Sequence, residues 1–532
     1  MKLIDKTIGE CLQERIKMTP DKTALEADGQ SYTWAGLDLL SDYMAVRMNN
    51  CGVKKETHAG IWSTNSPNWV IVFLALVKLG AVPVLLNTCY SKEELERVLW
   101  YSDVEFVYYG EGYKKLVYAT TVEELESVMD SQIRRWIYIG RDTGRRWMSE
   151  ESFVRSERMK KAVGEIPALT KKTVPEDTAA ILFTSGTTSS PKGVMLSHYN
   201  LVNSSLETCE HMRWGQEDKM LIAVPLFHCF GITSSLLASI HVGFSMYVIE
   251  YYKTLTVLGT IQNQRCTILN GVPSMFLAVV NNPAHKKYDL SSLKRGIIAG
   301  SPYTPEEYMQ IRREIPNLIL HASYGQTETS PCVSIGDVGD SDQENACTAG
   351  RVLEHCQVGI FDLDSGRQMA AGETGEIRVR GYNVMQGYYK LPEETGRTIG
   401  PDGWLRTGDL GYLDERRFLH FTGRIKEMII RGGENIFPGE IEAFIREYPG
   451  VSAVKVIGLP TQVLQEMVVA CIIMKEGRTI SETGLRSYLE HHLAYYKIPS
   501  WIVLFDRFPI SASGKIQLAE LKRLAMMQLS GN

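Results

Sequence analysis

The chain has 532 residues, of which 44% are hydrophobic and 22% are charged, and its formal net charge is −5 at pH 7. This length leaves room for roughly three to four domains of ordinary size, or for one large domain and a small one. The mildly negative charge argues against nucleic acid as the main partner, because nucleic-acid-binding domains usually carry a basic surface. An anionic substrate would therefore have to meet local basic groups.

The ten cysteines are scattered, with no CxxC pair and no histidine–cysteine cluster at metal-ligand spacing. This pattern is typical of reduced thiols in a cytosolic enzyme. The N-terminal residues Met1–Lys6 lack the apolar core of a signal peptide. The most hydrophobic run, 69–86, is interrupted by Lys78, Gly80 and Pro83, which favours a buried helix followed by a strand over a membrane span. We therefore expect a cytoplasmic protein with no integral membrane segment.

Helix and strand patterns alternate along the N-terminal part of the chain. Residues 65–79 form a predicted helix, with Ser66 and Pro67 as its cap and first turn. Residues 81–86 predict a short apolar strand, and residues 91–100 predict an amphipathic helix. This alternation is typical of α/β architecture with largely parallel sheets.

A change of pattern marks a domain boundary near residues 421–426. A turn-rich β region, 372–420, precedes it and a compact α/β pattern follows. The elements predicted after the boundary are a helix at 439–448, strands at 454–458 and 468–474, a helix carrying Leu485, Leu489 and Leu493, and a strand at 501–505. We therefore place a large N-terminal domain at 1–423 and a small C-terminal domain at 424–532.

A loop rich in hydroxyl residues, Thr184-Ser-Gly-Thr-Thr-Ser-Ser-Pro-Lys-Gly193, follows the end of an apolar strand at 181–183. Its backbone N–H groups and hydroxyls can donate hydrogen bonds, its glycines let the backbone approach a ligand, and Lys192 adds a positive charge. These properties suit a polyanion such as a triphosphate. The loop is not a Walker A motif, since GxxxxGK[ST] fits nowhere in it.

Five further motifs accompany this loop in a fixed order. They are Tyr324-Gly-Gln-Thr-Glu328, Gly372-Glu-Thr-Gly-Glu-Ile-Arg378, Trp404-Leu-Arg-Thr-Gly-Asp409, Gly423-Arg-Ile-Lys426 and Ser513-Gly-Lys515-Ile516. The set resembles the acyl-adenylate-forming superfamily of acyl-CoA synthetases, aryl-CoA ligases, luciferases and peptide-synthetase adenylation domains. The resemblance spans about residues 5–525. It implies an α/β fold: a large N-terminal domain of α/β subdomains plus a β-rich subdomain, and a small, mobile α+β C-terminal domain.

The resemblance also implies a two-step reaction that uses ATP, Mg²⁺ and coenzyme A. A carboxylate attacks the α-phosphorus of ATP, which gives an acyl adenylate and pyrophosphate. A thiol, usually that of coenzyme A, then displaces AMP. The first step needs charge neutralisation and alignment more than a covalent protein nucleophile.

The residues that match the family's phosphate loop are expected to hold the β- and γ-phosphates, and they are Thr184, Ser185, Gly186, Thr187, Thr188 and Lys192. Ser189 stands where the family usually has glycine, and glycine adopts backbone angles that serine tolerates poorly. The effect of Ser189 on the loop is therefore left open.

The Tyr324 motif resembles the part of the family site that binds adenine and metal. Tyr324, beside Gly325, is expected to stack on adenine, and Thr327 is expected to bond the α-phosphate. Glu328 is expected to hold Mg²⁺, with Thr184 as a second ligand, because a carboxylate beside polyphosphate is otherwise repulsive. The adenine and acyl pockets are expected to be bordered by Gly300, Ser301 and Pro302.

Further roles follow from the motifs nearer the C-terminus. Asp409 resembles the carboxylate that accepts both ribose hydroxyls, and Arg424 the arginine that touches ribose and phosphate. Lys426 matches the hinge about which the small domain rotates between the two steps. Gly433 is expected along the pantetheine path. Lys515 resembles the catalytic lysine, which stabilises charge between the substrate carboxylate and the α-phosphate.

Two positions leave alternatives open. His228 resembles a catalytic-site histidine beside the carboxylate entry, while a purely structural histidine remains an alternative. Relatives usually carry Asp after the proline of Gly458-Leu-Pro-Thr-Gln462 and Gly where this chain has Gln465. That departure would change how the small domain docks.

The acyl pocket is expected at residues 228–237, 270–276 and 297–302, where small and aliphatic residues dominate. No aspartate is placed to bind an α-amino group, which disfavours amino acids as substrates. We expect a medium-chain or longer aliphatic acid, and an aryl or sterol acid remains an alternative. Free coenzyme A is the expected acceptor, because no carrier domain follows residue 532.

Rival functions differ in class. They are a stand-alone adenylation enzyme that loads a carrier protein, a luciferase-like oxygenase, and a non-catalytic acyl or nucleotide sensor. The joint presence of Glu328, Asp409 and Lys515 argues against the sensor. The expected partners are the acid, ATP and coenzyme A, with a homodimer as an open alternative.

Overall fold

The computed structural model describes residues 2–140, 164, 172–184, 191–431, 434–461, 465–510 and 516–530. The chain divides into two compact units, one formed by Met1–Val358 with Val379–Leu405 and the other by Gly359–Arg378 with Arg406–Asn532. The second unit thus includes β-rich segments that precede residue 424. This division does not locate a hinge, so the boundary after residue 423 stays a prediction.

The α-helices of the described residues are Ile8–Met18, Trp34–Asn50, Pro67–Leu79, Lys92–Tyr101, Tyr118–Glu126, His198–Met212, Cys229–Gly231, Ala238–Val242, Thr254–Gln264, Pro273–Val280, Pro305–Glu314, Asp342–Cys347, Pro392–Thr398, Pro438–Glu447, Glu482–Glu490 and Leu518–Ser530. A π-helix covers Ile232–Leu237, and 3₁₀ turns cover His285–Lys287, Thr327–Thr329, Ile425–Glu427 and Tyr495–Lys497.

The strands of the described residues, in chain order, are β1 (Thr23–Ala27), β2 (Gln30–Thr33), β3 (His58–Trp62), β4 (Val82–Leu85), β5 (Phe106–Tyr109), β6 (Gly112–Tyr113), β7 (Leu116–Val117), β8 (Arg135–Tyr138), β9 (Thr178–Thr184), β10 (Lys192–Ser197), β11 (Lys219–Ile222), β12 (Ser245–Val248), β13 (Ile268–Leu269), β14 (Arg295–Ile298), β15 (Ile319–Tyr324), β16 (Ser334–Ile335), β17 (Arg351–Val352), β18 (Cys356–Phe361), β19 (Gly375–Gly381), β20 (Gly387–Tyr388), β21 (Leu405–Leu413), β22 (Leu419–Arg424), β23 (Ile429–Arg431), β24 (Glu434–Ile436), β25 (Val451–Thr461), β26 (Gln465–Met474) and β27 (Trp501–Leu504).

The first unit contains a nine-stranded sheet in the order β17-β16-β15-β14-β13-β11-β12-β1-β2. The strands from β15 to β1 run parallel to one another, whereas β2 and the pair β16–β17 run antiparallel to their neighbours. Ligands in open α/β sheets bind beyond the carboxyl ends of parallel strands. The segments that follow β11, β13, β14 and β15 share that edge.

A seven-stranded sheet in the same unit has the order β20-β10-β9-β4-β3-β5-β8. Its strands β8, β5, β3, β4 and β9 are parallel. The pairs β9–β10 and β10–β20 are antiparallel. The mixed sheets with interspersed helices confirm the predicted α/β class, while the sheets are less uniformly parallel than the sequence suggested.

The helix Pro67–Leu79 shows why the sequence predicts this core. Ser66 Oγ accepts a hydrogen bond from the Trp69 N–H at 3.1 Å, and Gly80 ends the helix with φ of +68°. Both features are standard helix stop and start signals. Lys78 is buried near the end of the helix and forms two ion pairs, so its charge is neutralised inside the unit. No helix in the described part of the chain is long and apolar enough to cross a membrane.

The second unit contains most of a four-stranded sheet, in the order β18-β19-β21-β22, and a five-stranded sheet. In the latter β24, β23, β26 and β25 are neighbours in that order, and β27 pairs with β26. Two of its helices, Pro438–Glu447 and Glu482–Glu490, bury their apolar faces against this sheet. The second helix ends at Glu490, so Leu493 lies beyond it, although Leu493 is still buried.

Candidate active site

The two ends of the phosphate loop are fixed by a hairpin. Thr184 is the last residue of β9 and Lys192 is the first residue of β10, and the two are register partners. Ser185, Gly186, Thr187, Thr188 and Ser189 lie outside the described residues. The antiparallel pairing therefore brings the hydroxyl of Thr184 and the side chain of Lys192 to the same end of the hairpin.

The Lys192 ammonium is held by two groups from the segment around β20. It forms an ion pair with Glu394 Oε1, and its Nζ lies 4.8 Å from the centroid of the Tyr388 ring. The side chain of Lys192 is 17% exposed and that of Glu394 is 33% exposed. Partial shielding from water makes this pair stronger than one on an open surface.

Tyr388 also contacts the predicted metal ligand. Its hydroxyl donates a hydrogen bond to Glu328 Oε1 at 2.9 Å. Burial, followed by the charge of the Glu328 carboxylate, raises the pKa of Tyr388 above its ordinary value. The hydroxyl therefore stays protonated at neutral pH and acts as the donor. Lys192, Tyr388 and Glu328 form one connected cluster.

Glu328 suits a hard cation such as Mg²⁺, which prefers oxygen ligands and retains phosphate and water oxygens around it. The Tyr388 hydroxyl occupies Oε1, and no donor to Oε2 is found among the described residues. Across the same residues no group of three or more His, Cys, Asp or Glu could hold a metal ion. A single protein carboxylate with phosphate oxygens of ATP is the arrangement these residues fit.

The Tyr324 motif begins at the carboxyl end of β15. Tyr324 is half-buried, and a side chain at Gly325 would place its Cβ 1.6 Å from the Pro331 carbonyl oxygen. Only glycine therefore fits beside the tyrosine. The Thr327 hydroxyl accepts a weak hydrogen bond from Cys229 Sγ at 3.7 Å, which joins this motif to the segment that follows His228.

The three predicted acyl-pocket segments meet at one buried amide. Asn270 is 1% exposed; its Nδ2 donates to the Ser234 carbonyl at 2.9 Å and its Oδ1 accepts from the Ile297 N–H at 3.0 Å. Ser234 belongs to the π-helix Ile232–Leu237, all of which is buried. Residues 228–237, 270–276 and 297–302 therefore lie together.

Gly300, Ser301 and Pro302 follow β14 at this same edge of the sheet. Gly300 has φ of +87°, a conformation that favours glycine. His228 follows β11, and the centroid of its ring lies 4.3 Å from that of Phe227. The structure thus brings the predicted adenine, acyl and carboxylate-entry segments to one edge.

Three predicted residues lie in the described part of the second unit. Asp409 and Arg424 are partners across β21 and β22, and Arg424 Nε lies 3.2 Å from Asp409 Oδ1. Asp409 is 3% exposed, whereas the Arg424 side chain is half-exposed. Lys426 lies in the 3₁₀ turn Ile425–Glu427, two residues after Arg424. Gly433 and Lys515 lie outside the described residues.

Sequence patterns of two known families match the chain. That of the AMP-binding enzyme matches residues 12–389, and that of the AMP-binding enzyme C-terminal domain matches residues 440–515. The chain belongs to the AMP-binding enzyme family. This match confirms the resemblance to the acyl-adenylate-forming superfamily.

Relatives of this AMP-binding enzyme share its whole length. YngI of Bacillus subtilis (strain 168), named as a candidate acyl-CoA synthetase, is 36% identical over 548 residues, with 100% of this chain and 99% of YngI covered. The mitochondrial medium-chain acyl-CoA ligase ACSF2 of Bos taurus is 32% identical, with 98% of this chain and 88% of ACSF2 covered. The crystal structure of ATP-bound MatB from Rhodopseudomonas palustris has a TM-score of 0.86 at 25% identity, with 98% and 99% of the two chains covered. The enzyme therefore falls among acyl-CoA synthetases and ligases.

Sequence reasoning misses two residues that contact Lys192, namely Tyr388 and Glu394. Both lie in a stretch that the sequence marks only as a turn-rich β region. A signal is present, since a Gly-Tyr-Tyr run at 387–389 is followed by Pro392 and two glutamates. Nothing local links that run to Lys192, which is about 200 residues away in sequence.

Proposed function

We propose that this enzyme is an ATP-dependent acid–thiol ligase, which activates a carboxylic acid as an acyl adenylate and transfers the acyl group to coenzyme A. The observation that carries the proposal is the cluster in which Lys192 and Glu328 contact opposite parts of Tyr388. It places the Lys192 cation and the Glu328 carboxylate beside the hairpin end, which suits a polyphosphate and its metal ion. Membership of the AMP-binding enzyme family supports this use of the site.

In the first step the chain's own residues align ATP and neutralise its charge. Lys192 and the loop that begins at Thr184 would bind the β- and γ-phosphates, and Tyr324 would stack on adenine. Bound Mg²⁺ would neutralise phosphate charge, with Glu328 among its ligands. Lys515 would stabilise the charge that develops as the carboxylate attacks the α-phosphorus.

The remaining roles of the proposed reaction fall on residues of the second unit. The buried carboxylate of Asp409 would accept the ribose hydroxyls, and the exposed guanidinium of Arg424 would remain able to reach ribose and phosphate. Rotation about Lys426 would then exchange Lys515 for Gly433, along which the pantetheine arm would approach. His228 would stand beside the substrate carboxylate.

The proposed acid is aliphatic and of medium chain length or longer. The three segments proposed to form the wall of the acyl pocket, residues 228–237, 270–276 and 297–302, are called the wall segments. They carry buried apolar side chains, among them Ile232, Leu236 and Phe276. The one buried amide, Asn270, already has both ends bonded within the wall, so it does not favour a polar acyl group. The similarity to a medium-chain acyl-CoA ligase supports the same choice.

Pyrophosphate release, measured with a panel of acids in the presence and absence of coenzyme A, tests this function. We expect activity to rise with each added methylene by up to about fourfold in kcat/KM, since a buried CH₂ contributes roughly 0.8 kcal/mol, and then to level off. Acetate and free amino acids should be poor substrates. Preference for benzoate, cinnamate or a sterol acid would contradict the aliphatic assignment. Release of pyrophosphate independent of coenzyme A, together with transfer of the acyl group to a carrier protein, would indicate a loading enzyme.

Cytoplasmic location and a homodimer stay predictions.

A further inference from the structure

A tyrosine outside all the sequence motifs contacts both charged groups of the phosphate site. Its hydroxyl donates to Glu328 Oε1 at 2.9 Å, and Lys192 Nζ lies 4.8 Å from the centroid of its ring. We propose that Tyr388 is a positioning residue for ATP and its metal ion: the hydroxyl orients Glu328 and the ring places Lys192. The inference rests on the proposed function only for the binding of ATP with Mg²⁺.

Strand pairing places the Tyr388 ring on the same face as Lys192. Tyr388 in β20 is the register partner of Val194 in β10, and directly opposed residues of antiparallel strands project to the same face. Lys192 precedes Val194 by two residues on β10, so it projects to that face as well. The cation–ring contact is therefore a consequence of the sheet register.

The backbone of Tyr388 is fixed from its other side by the helix Pro392–Thr398. The Tyr388 N–H donates to Thr395 Oγ1 at 2.9 Å. At the preceding Gly387, with φ of +148°, a Cβ would lie 2.8 Å from Thr395 Cγ2, so only glycine allows this approach. Because both sides are held, the ring and hydroxyl have a defined position before any ligand binds.

Glu328 is held by the same segment at two points. The Met385 N–H donates to the Glu328 carbonyl at 3.0 Å, and Tyr388 holds the carboxylate through Oε1. The hydroxyl restricts rotation of the carboxylate and leaves Oε2 for a cation. A metal-binding side chain that is already ordered loses less conformational entropy when the cation binds, which increases the affinity for the cation.

The variant Tyr388→Phe tests the hydroxyl alone, because it keeps the ring beneath Lys192. The dissociation constant of ATP is measured by calorimetry, once with saturating Mg²⁺ and once in EDTA. We expect the constant measured with Mg²⁺ to rise roughly 5- to 20-fold, since a hydrogen bond to a charged group is lost. The constant measured in EDTA should change less than about twofold. Binding of Mn²⁺ to the ATP complex, followed by electron paramagnetic resonance, should weaken in parallel.

The variant Tyr388→Leu removes ring and hydroxyl together. It should weaken ATP binding in EDTA as well, by roughly 3- to 10-fold, because the cation–π contact with Lys192 is lost. The neighbouring Tyr389→Phe is the matched control. The Tyr389 hydroxyl bonds Asp103 at 2.6 Å instead of Glu328, so its removal should leave both constants unchanged.

Equal weakening of ATP binding with and without Mg²⁺ in Tyr388→Phe would overturn the proposal, as would no weakening at all. A wild-type protein that binds ATP equally well with and without Mg²⁺ would overturn it too. If the wild type shows Mg²⁺-dependent binding but converts no acid to a thioester, the ligase function fails and the role of Tyr388 stands. Thermal unfolding of Tyr388→Phe at the wild-type temperature shows that the fold is intact.

Discussion

At the scale of single residues, the proposed binding of Mg²⁺ depends on the charge of Glu328. The carboxylate accepts a hydrogen bond through Oε1, and among the described residues no donor to Oε2 is found, which leaves that oxygen for a hard cation. A neutral amide is a poorer ligand for Mg²⁺. In the proposed reaction the side chain would therefore matter for its charge and not only for its shape.

We predict that Glu328→Gln raises the Mg²⁺ concentration needed for half-maximal pyrophosphate release by roughly tenfold or more, as expected for loss of a charged ligand. Excess Mg²⁺ should restore part of the activity. A titration of initial rate against Mg²⁺ at fixed ATP measures the change. An unchanged titration curve would mean that another group holds the metal.

His321 is a second residue whose protonation has consequences. It lies in β15, three residues before Tyr324, and is fully buried. Burial, with a smaller effect of the Arg295 charge, lowers the pKa of His321 to about 4. An unfolded histidine titrates near roughly 6.5, so the unfolded chain binds the proton more readily than the folded one.

The resulting contribution to stability is fully present above about pH 6.5 and is lost as the pH falls toward 4. At pH 5 this one group should reduce the free energy of unfolding by about 2 kcal/mol. We predict that His321→Leu makes the melting temperature less sensitive to pH between 6.5 and 5. The control is His491→Leu, since His491 is exposed, and this variant should show the same dependence of melting temperature on pH as the wild type. The same pH dependence in the wild type and both variants would contradict the prediction.

At the scale of secondary-structure elements, the helix Pro392–Thr398 places Glu394 against Lys192. This residue pairs with Lys192, the cation expected to meet the phosphates. If Lys192 binds the phosphates as proposed, a triphosphate would compete with the Glu394 carboxylate for the lysine. Two negative groups near one cation also repel each other.

We predict that Glu394→Gln lowers the KM for ATP by roughly 3- to 10-fold, because the competing charge is removed from a partly shielded pair. Dissociation of the product pyrophosphate should slow as well, because the same competing carboxylate no longer displaces it from Lys192. Glu393→Gln is the matched control, since Glu393 lies one residue earlier, is exposed and pairs only loosely with Arg397 at 3.8 Å. A rise in KM for Glu394→Gln would show that Glu394 assists ATP binding instead.

At the scale of the whole molecule, the chain consists of two compact units, and the second carries Lys426 in a short 3₁₀ turn. Residues in such turns have φ near roughly −60°, which proline also adopts. A proline at this position would fix φ near that value and restrict a change away from it.

We predict that Lys426→Pro preserves adenylate formation and slows thioester formation by roughly tenfold or more, because rotation about this turn would be hindered. Single-turnover measurements separate the two steps. Lys515→Ala provides the opposite control: it should lower adenylate formation by about 10²–10³-fold and spare thioester formation from a supplied adenylate. If Lys426→Pro leaves both steps intact, Lys426 is not the hinge.

Much of this fold could be predicted from sequence because its signals are local. The cap at Ser66 and the apolar run after it define the helix Pro67–Leu79, and its position is confirmed within two residues. Other boundaries differ from the prediction: a strand predicted at 454–458 extends over Val451–Thr461 because alternating exposed residues such as Ser452 still permit pairing. The helix predicted to include Leu493 stops at Glu490, since spacing alone does not show where a helix ends.

The candidate site was less predictable than the fold. Motifs marked Thr184, Lys192 and Glu328, but the contacts made by Tyr388 and Glu394 depend on the register of β20 with β10. That register is a long-range property, since it joins segments about 190 residues apart, and no local pattern encodes it. The roles of the predicted site residues stay predictions until the variants are measured.

The buried amide of Asn270 has a consequence for how substrate preference can change. One side chain bonds the backbone of two other wall segments, at Ser234 and Ile297. A substitution that shifts any one of the three segments would therefore strain the hydrogen bonds that Asn270 makes between them. The effects of substitutions at residues that share such partners on activity or stability are not additive. Selectivity for a different acid should therefore require several substitutions together, each of which is neutral or harmful alone. The order in which these substitutions are acquired would then determine which substrate preferences can evolve.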